Sequence, residues 1–139
     1  MADNVQELRP KSPDSEKITV NLGFIDLGRV DLMVRDGFYA NRADFIRTAV
    51  RNQLERHEDA VRQSVARRQL TLGLAHFTTR DLELARDAGV PLNIQVLGLA
   101  SIASDVTPEL ARAAVASVQV LGAFQASPAV KAALADRTV

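Results

Sequence analysis

From Glu16 to Leu22 polar and apolar residues alternate without a break, Lys17, Thr19 and Asn21 against Ile18, Val20 and Leu22. A period of two belongs to a β-strand, whose side chains point to opposite faces in turn. The next patterns have helical spacing. Leu27, Val30, Met33 and Val34 form a stripe between Asp26, placed as an N-cap, and Asp36. Gly37 is placed to end that helix in the left-handed conformation, with Phe38 expected to be buried after it. Asn41 reads as the cap of a second helix, with Asp44 three positions on. Phe45, Ile46, Ala49, Val50, Gln53 and Leu54 share one face of it. Val61 and Val65 prolong the stripe, so this helix is predicted to reach Arg68.

Beyond residue 69 the pattern changes. Strands are predicted near Leu70–Ala75, Leu92–Leu97 and Ser117–Leu121, and helices after Thr79, Thr107 and Ser127. Thr107-Pro108 and Ser127-Pro128 place proline at the first helical position, which it favours. Ile94-Gln-Val-Leu-Gly98 returns as Val118-Gln-Val-Leu-Gly122, 24 residues later, the mark of an internal duplication. Strands alternating with helices imply parallel pairing. Three such units are expected to form a small α/β, solenoid-like stack whose last strand is an open edge. Gly73, Gly98 and Gly122 recur with the strands and read as tight packing at strand ends.

Residues 1–15 hold Pro10, Ser12, Pro13 and Ser15 and no periodic pattern, as in a flexible arm that offers Arg9 and Lys11 to a partner. The chain thus divides into an arm (1–15), a strand–helix–helix part (16–68) and a strand–helix repeat (69–139).

Composition narrows the chemistry. The 139 residues include no cysteine, which excludes disulfides, thiolate metal sites and cysteine nucleophiles and fits a reducing cytoplasm. No apolar run has the length of a membrane span, and the polar N-terminus is unlike a signal peptide. Net charge is zero, but its distribution is uneven. Seven arginines against four acids lie between Arg42 and Arg68, while residues 71–139 hold five bases and six acids. The basic excess sits beside the alternating strand, where a DNA-facing segment needs it. The two histidines, His57 and His76, are isolated, and with no cysteine they make a poor metal set. His57 falls on the prolonged stripe and is expected to be partly packed. No Ser/His/Asp order, carboxylate pair or G-x-G-x-x-G occurs, so no enzymatic activity, cofactor or metal is expected.

One strand of seven residues cannot make a sheet alone, and the simplest partner is the same strand of a second copy. A two-stranded ribbon fits the major groove of DNA. The order of alternating strand, glycine hinge, capped second helix and Phe-Ile pair resembles the ribbon-helix-helix family of bacterial DNA-binding proteins, the Arc, MetJ and CopG type. The likeness covers residues 16–57 and is closest over Gly37-Phe-Tyr-Ala-Asn-Arg-Ala-Asp-Phe-Ile-Arg. The repeat lies outside it. The resemblance implies an α+β obligate homodimer with interlocked strands, in which Lys17, Thr19 and Asn21 read bases. It also implies that the backbone N–H groups of Asn41, Arg42 and Ala43 meet a DNA phosphate, a place where helix dipole and free donors favour an anion. Asn41 caps the helix whether or not an anion is bound.

The expected partner is therefore double-stranded DNA, in the cytoplasm or on the nucleoid. The expected role is a sequence-specific transcriptional regulator, a repressor, whose repeats mediate higher homo-oligomerisation. A polymerising scaffold with a DNA tether and the antitoxin of a toxin–antitoxin pair are the alternatives.

Overall fold

A computed structural model describes residues 15–139. The expected flexible arm, with Arg9 and Lys11, lies outside the described residues except for Ser15. The chain forms two units, one ending at Gln63 and one beginning at Ser64.

In the first unit residues 16–22 form no secondary structure within the single chain. Ile18 and Val20 are 76% and 67% exposed, so their own helices do not cover them. Helix α1 spans Phe24–Arg35, three residues earlier than an Asp26 cap suggests. Gly23 is its N-cap without a side-chain bond, and Asp26 sits in the first turn. Gly37 has φ +86°, the left-handed value that closes the helix. Its N–H donates to the Val34 carbonyl and that of Phe38 to Met33. Phe38 itself is 68% exposed, against expectation, because the turn that reverses the chain carries it outward. Tyr39, not Phe38, packs against the second helix: its ring meets Phe45 edge-on at 4.9 Å between centroids.

Helix α2 spans Arg42–Arg56 and does not run through to Arg68. It stops at His57, whose N–H donates to Leu54, three residues back, and α3 follows over Glu58–Arg68. His57 is consequently exposed, its ring beside the Gln53 amide at 3.2 Å, and not packed on a stripe. Among the described residues of this unit Val30 is the one buried large apolar residue; Ile46, Val50 and Leu54 remain open to solvent along α2.

In the second unit three parallel strands lie side by side in the order β1–β2–β3: β1 Thr71–Phe77, β2 Leu92–Ile102 and β3 Val115–Gln125. The solenoid-like stack expected from the repeat takes the form of one open, three-stranded sheet. Helices α4 (Thr79–Ala88), α5 (Pro108–Ala114) and α6 (Pro128–Ala133) join and follow the strands. Thr107 and Ser127 cap α5 and α6 as expected. The cap of α4 is Thr78, not Thr79: its hydroxyl accepts from Asp81, whose carboxylate accepts from the Thr78 N–H, a reciprocal box. Leu82, Leu110, Ala111, Ala114, Val130 and Leu134 from the helices pack with Ile94, Val96, Ala100, Ile102 and Val118 from the sheet into one core.

The repeated pentamer becomes sheet register. Ile94 pairs with Val118 and each following residue with its counterpart, to Gly98 with Gly122, while Gly73 pairs with Gly98 on the other side. The three glycines form a row in the middle of the sheet, not at strand ends, and the strands continue beyond them. All three have φ between +120° and +138°. A Cβ on Gly98 would strike the Gly73 carbonyl oxygen, and one on Gly122 that of Gly98. The far edge is also less open than expected. Thr138 bridges to Val118, and the Val139 N–H donates to the Val118 carbonyl at 2.9 Å. Among the described residues no helix is long and apolar enough to cross a membrane.

Candidate nucleic-acid interface

Lys17, Thr19 and Asn21 are exposed on the extended segment that precedes α1. Among the described residues nothing pairs with that segment's backbone. In a strand, their alternation with Ile18, Val20 and Leu22 would put the three polar groups on one side.

The second candidate group lies at the start of α2. Asn41 is extended, at φ −164°, and its Oδ1 accepts from the Asp44 N–H at 2.8 Å. Asp44 reaches back to accept from the Ala40 N–H at 2.9 Å. This cap fixes the first turn and leaves the backbone N–H groups of Asn41, Arg42 and Ala43 without an acceptor among the described residues. All three residues are exposed. They are the free donors of a helix start, near which negative charge is favoured.

Arg42 has a second role that its position in the sequence does not announce. Its guanidinium forks onto the Asp31 carboxylate of α1, Nε to Oδ1 at 2.7 Å and one terminal nitrogen to Oδ2 at 2.8 Å. The hydrogen bond from Arg42 holds the Asp31 carboxyl below its ordinary pKa. The same bond raises that of Arg42. The pair bridges α1 and α2 across the Gly37 turn. Asp31 carries no sequence signal for this, being eleven residues away on a helix read only for its apolar stripe.

The basic excess behind this site is partly neutralised in place. Arg62 pairs with Glu58 at 3.0 Å and Arg67 donates to the Ser64 hydroxyl. Arg47, Arg51, Arg56 and Arg68 have no ion-pair partner among the described residues. His76 lies apart in β1, its Nδ1 2.7 Å from the Ser101 hydroxyl. Among the described residues no three metal-ligating side chains come together.

One family model matches this chain over residues 13–131, that of the ribbon-helix-helix transcriptional regulator family. The match runs well past residue 57 and takes in most of the strand–helix region, which the sequence resemblance left outside. No curated relative and no solved structure matches the chain significantly. With the matched span covering most of its length, the chain belongs to the ribbon-helix-helix transcriptional regulator family.

Proposed function

We propose that the protein is a sequence-specific DNA-binding repressor that works as an interlocked homodimer. Residues 16–22 of two chains pair antiparallel, and the ribbon enters the major groove with Lys17, Thr19 and Asn21 toward the bases. Their chemistry suits the task. Lys donates to guanine, Asn grips adenine through both its amide groups, and Thr meets an acceptor or a thymine methyl. The backbone N–H groups of Asn41, Arg42 and Ala43 hold a phosphate and fix the ribbon's register on the duplex.

The observation that carries this reading is the exposure of Ile18, Val20, Phe24, Ile25, Ile46, Val50 and Leu54 in one chain. A unit of this size with a single buried large residue among those described has too little core to stand alone. A second copy offers the same surface and buries both sets at once, which also turns the polar row of the strand outward. The strand–helix unit, with its own folded core, then serves assembly. A folded C-terminal unit favours this over an antitoxin role, which the family performs with a flexible tail.

The test is a gel shift with DNA from upstream of the protein's own gene, at two salt concentrations. A discrete complex on that DNA and one about a thousandfold weaker on random DNA, the low end of specific recognition, is the expected result. Equal affinity for both would leave only the scaffold reading.

A further inference from the structure

We infer that the uncovered face of the parallel sheet packs against the same face of a second copy of this chain. One face of the sheet is closed by α4, α5 and α6 around the core. The other carries Leu72 and Leu74 of β1, Leu97 and Leu99 of β2, and Leu121 and Ala123 of β3. Register sets them in two adjacent rows, Leu72–Leu97–Leu121 and Leu74–Leu99–Ala123. Leu72 and Leu74 are 71% and 74% exposed. Parallel sheets are found almost only with both faces covered.

The rows around this centre say what covers it. On one side lie Asn93, whose side chain accepts from Ser117 at 2.7 Å, and the register pair Gln95–Gln119. On the other lies the register row His76–Ser101–Gln125. An apolar centre inside a polar rim is the anatomy of a protein interface. No Asp, Glu, Lys or Arg stands on the face, although 24% of the chain is charged. In a two-fold interface a residue near the axis faces its own copy, so a charge there would repel itself. A neutral face suits a second copy and gives a nucleic acid or an anionic membrane nothing to hold. Other segments of the chain suit it poorly: five of the eleven residues of α3 are charged, and residues 1–14 contain only Val5 and Leu8 as branched apolar residues.

Size decides how the pairing works. Three strands about 4.8 Å apart and seven rows at about 3.3 Å give a footprint of ~300 Å². A stable independent dimer buries roughly 800 Å² on each partner. The face is too small to join free chains firmly. It suffices for chains already tethered, since a tether supplies an effective concentration of order millimolar. This proposal rests on the ribbon dimer for that tether.

The chain has no cysteine, so one introduced thiol reports one contact. Full-length Leu97→Cys, on the central strand near the expected two-fold axis, should form covalent pairs under mild diamide oxidation. It should do so at least about tenfold faster than Leu84→Cys, an exposed position on α4, because only the former is held at high effective concentration. Leu99→Cys, the next residue along that strand face, serves if Leu97→Cys melts abnormally. Val20→Cys reports the ribbon separately. Fast linking of Leu97→Cys or Leu99→Cys supports the face pairing even if Val20→Cys does not link, in which case the ribbon fails alone. If neither face position links faster than Leu84→Cys, the pairing is overturned. That holds equally if they are shielded by residues 1–14 or by an unrelated protein.

Discussion

The Arg42 guanidinium holds the Asp31 carboxylate through two bonds, 2.7 and 2.8 Å, across the Gly37 turn. A charge proposed to lie beside a DNA phosphate is thus already matched by an acid of the same chain. Asp31→Asn should release it. Affinity for operator and for random DNA should both rise, and the salt slope should steepen by about one per phosphate newly contacted. Arg42→Ala should do the reverse. Fluorescence anisotropy at four salt concentrations measures both; unchanged slopes in both variants would remove Arg42 from the phosphate site.

Asn21→Ala should weaken operator binding far more than random binding. A bidentate base contact contributes about 1–3 kcal/mol, and a two-fold dimer makes it twice. Competition titrations with operator and scrambled duplexes read the difference directly. Equal losses would mean that Asn21 does not read a base.

A fragment of residues 1–68 should melt at a temperature that rises with its concentration, as for any fold completed by association. The exposed Ile18 and Val20 give the physical reason. A melting point independent of concentration, together with a monomer mass in ultracentrifugation, would contradict the interlocked dimer.

Thr78→Ala should cost about 1 kcal/mol, the usual loss for an N-cap, while Thr79→Ala should cost less or nothing. The Thr79 hydroxyl is buried without a hydrogen-bond partner, so its removal sacrifices no bond. Thermal melts of the two variants distinguish them. The same region carries a pH dependence. Hydrogen bonds from Thr78 lower the pKa of Asp81, and Arg112 lowers that of Asp136. A carboxylate lowered by folding stabilises the native state above its unfolded pKa, near 3.8, and loses that contribution as pH falls through the folded value. Stability should therefore be flat from neutrality down to the ordinary carboxylate range and fall below it, less steeply in Asp81→Asn.

Gly98→Ala should destabilise the sheet by more than about 3 kcal/mol, because backbone clash is added to the strain of a positive φ. Gly73→Ala meets nothing within 4 Å and bears the strain alone, about 1–3 kcal/mol. Urea melts should separate them. If the two cost the same, the close approach of neighbouring strands is not what requires glycine in this row.

Much of the chain follows from local chemistry. Alternation from Lys17 to Leu22, the Asn41 cap, the Gly37 turn and the Ser/Thr-Pro starts of α5 and α6 depend on residues within a few positions of one another. The cap, the turn and the proline starts are therefore legible in sequence and recur in the structure; the polar trio Lys17, Thr19 and Asn21 is read from the sequence alone. The pentamer repeat even announced its own register, because equal spacing and equal pattern allow Ile94 to lie beside Val118 without a slip. What needed the tertiary structure was whatever joins distant positions. The Arg42–Asp31 fork depends on how sharply two helices fold back. The place of the glycines in mid-strand depends on a neighbouring carbonyl. The cover of β3 depends on where Thr138 and Val139 return. Helix ends went astray for a related reason. The periodicity of Val61 and Val65 continues past His57, but the backbone bond that ends α2 there is not written in hydrophobicity. The open leucine face was invisible in the same way, since Leu72, Leu97 and Leu121 become one surface only when three strands far apart in the chain lie in register.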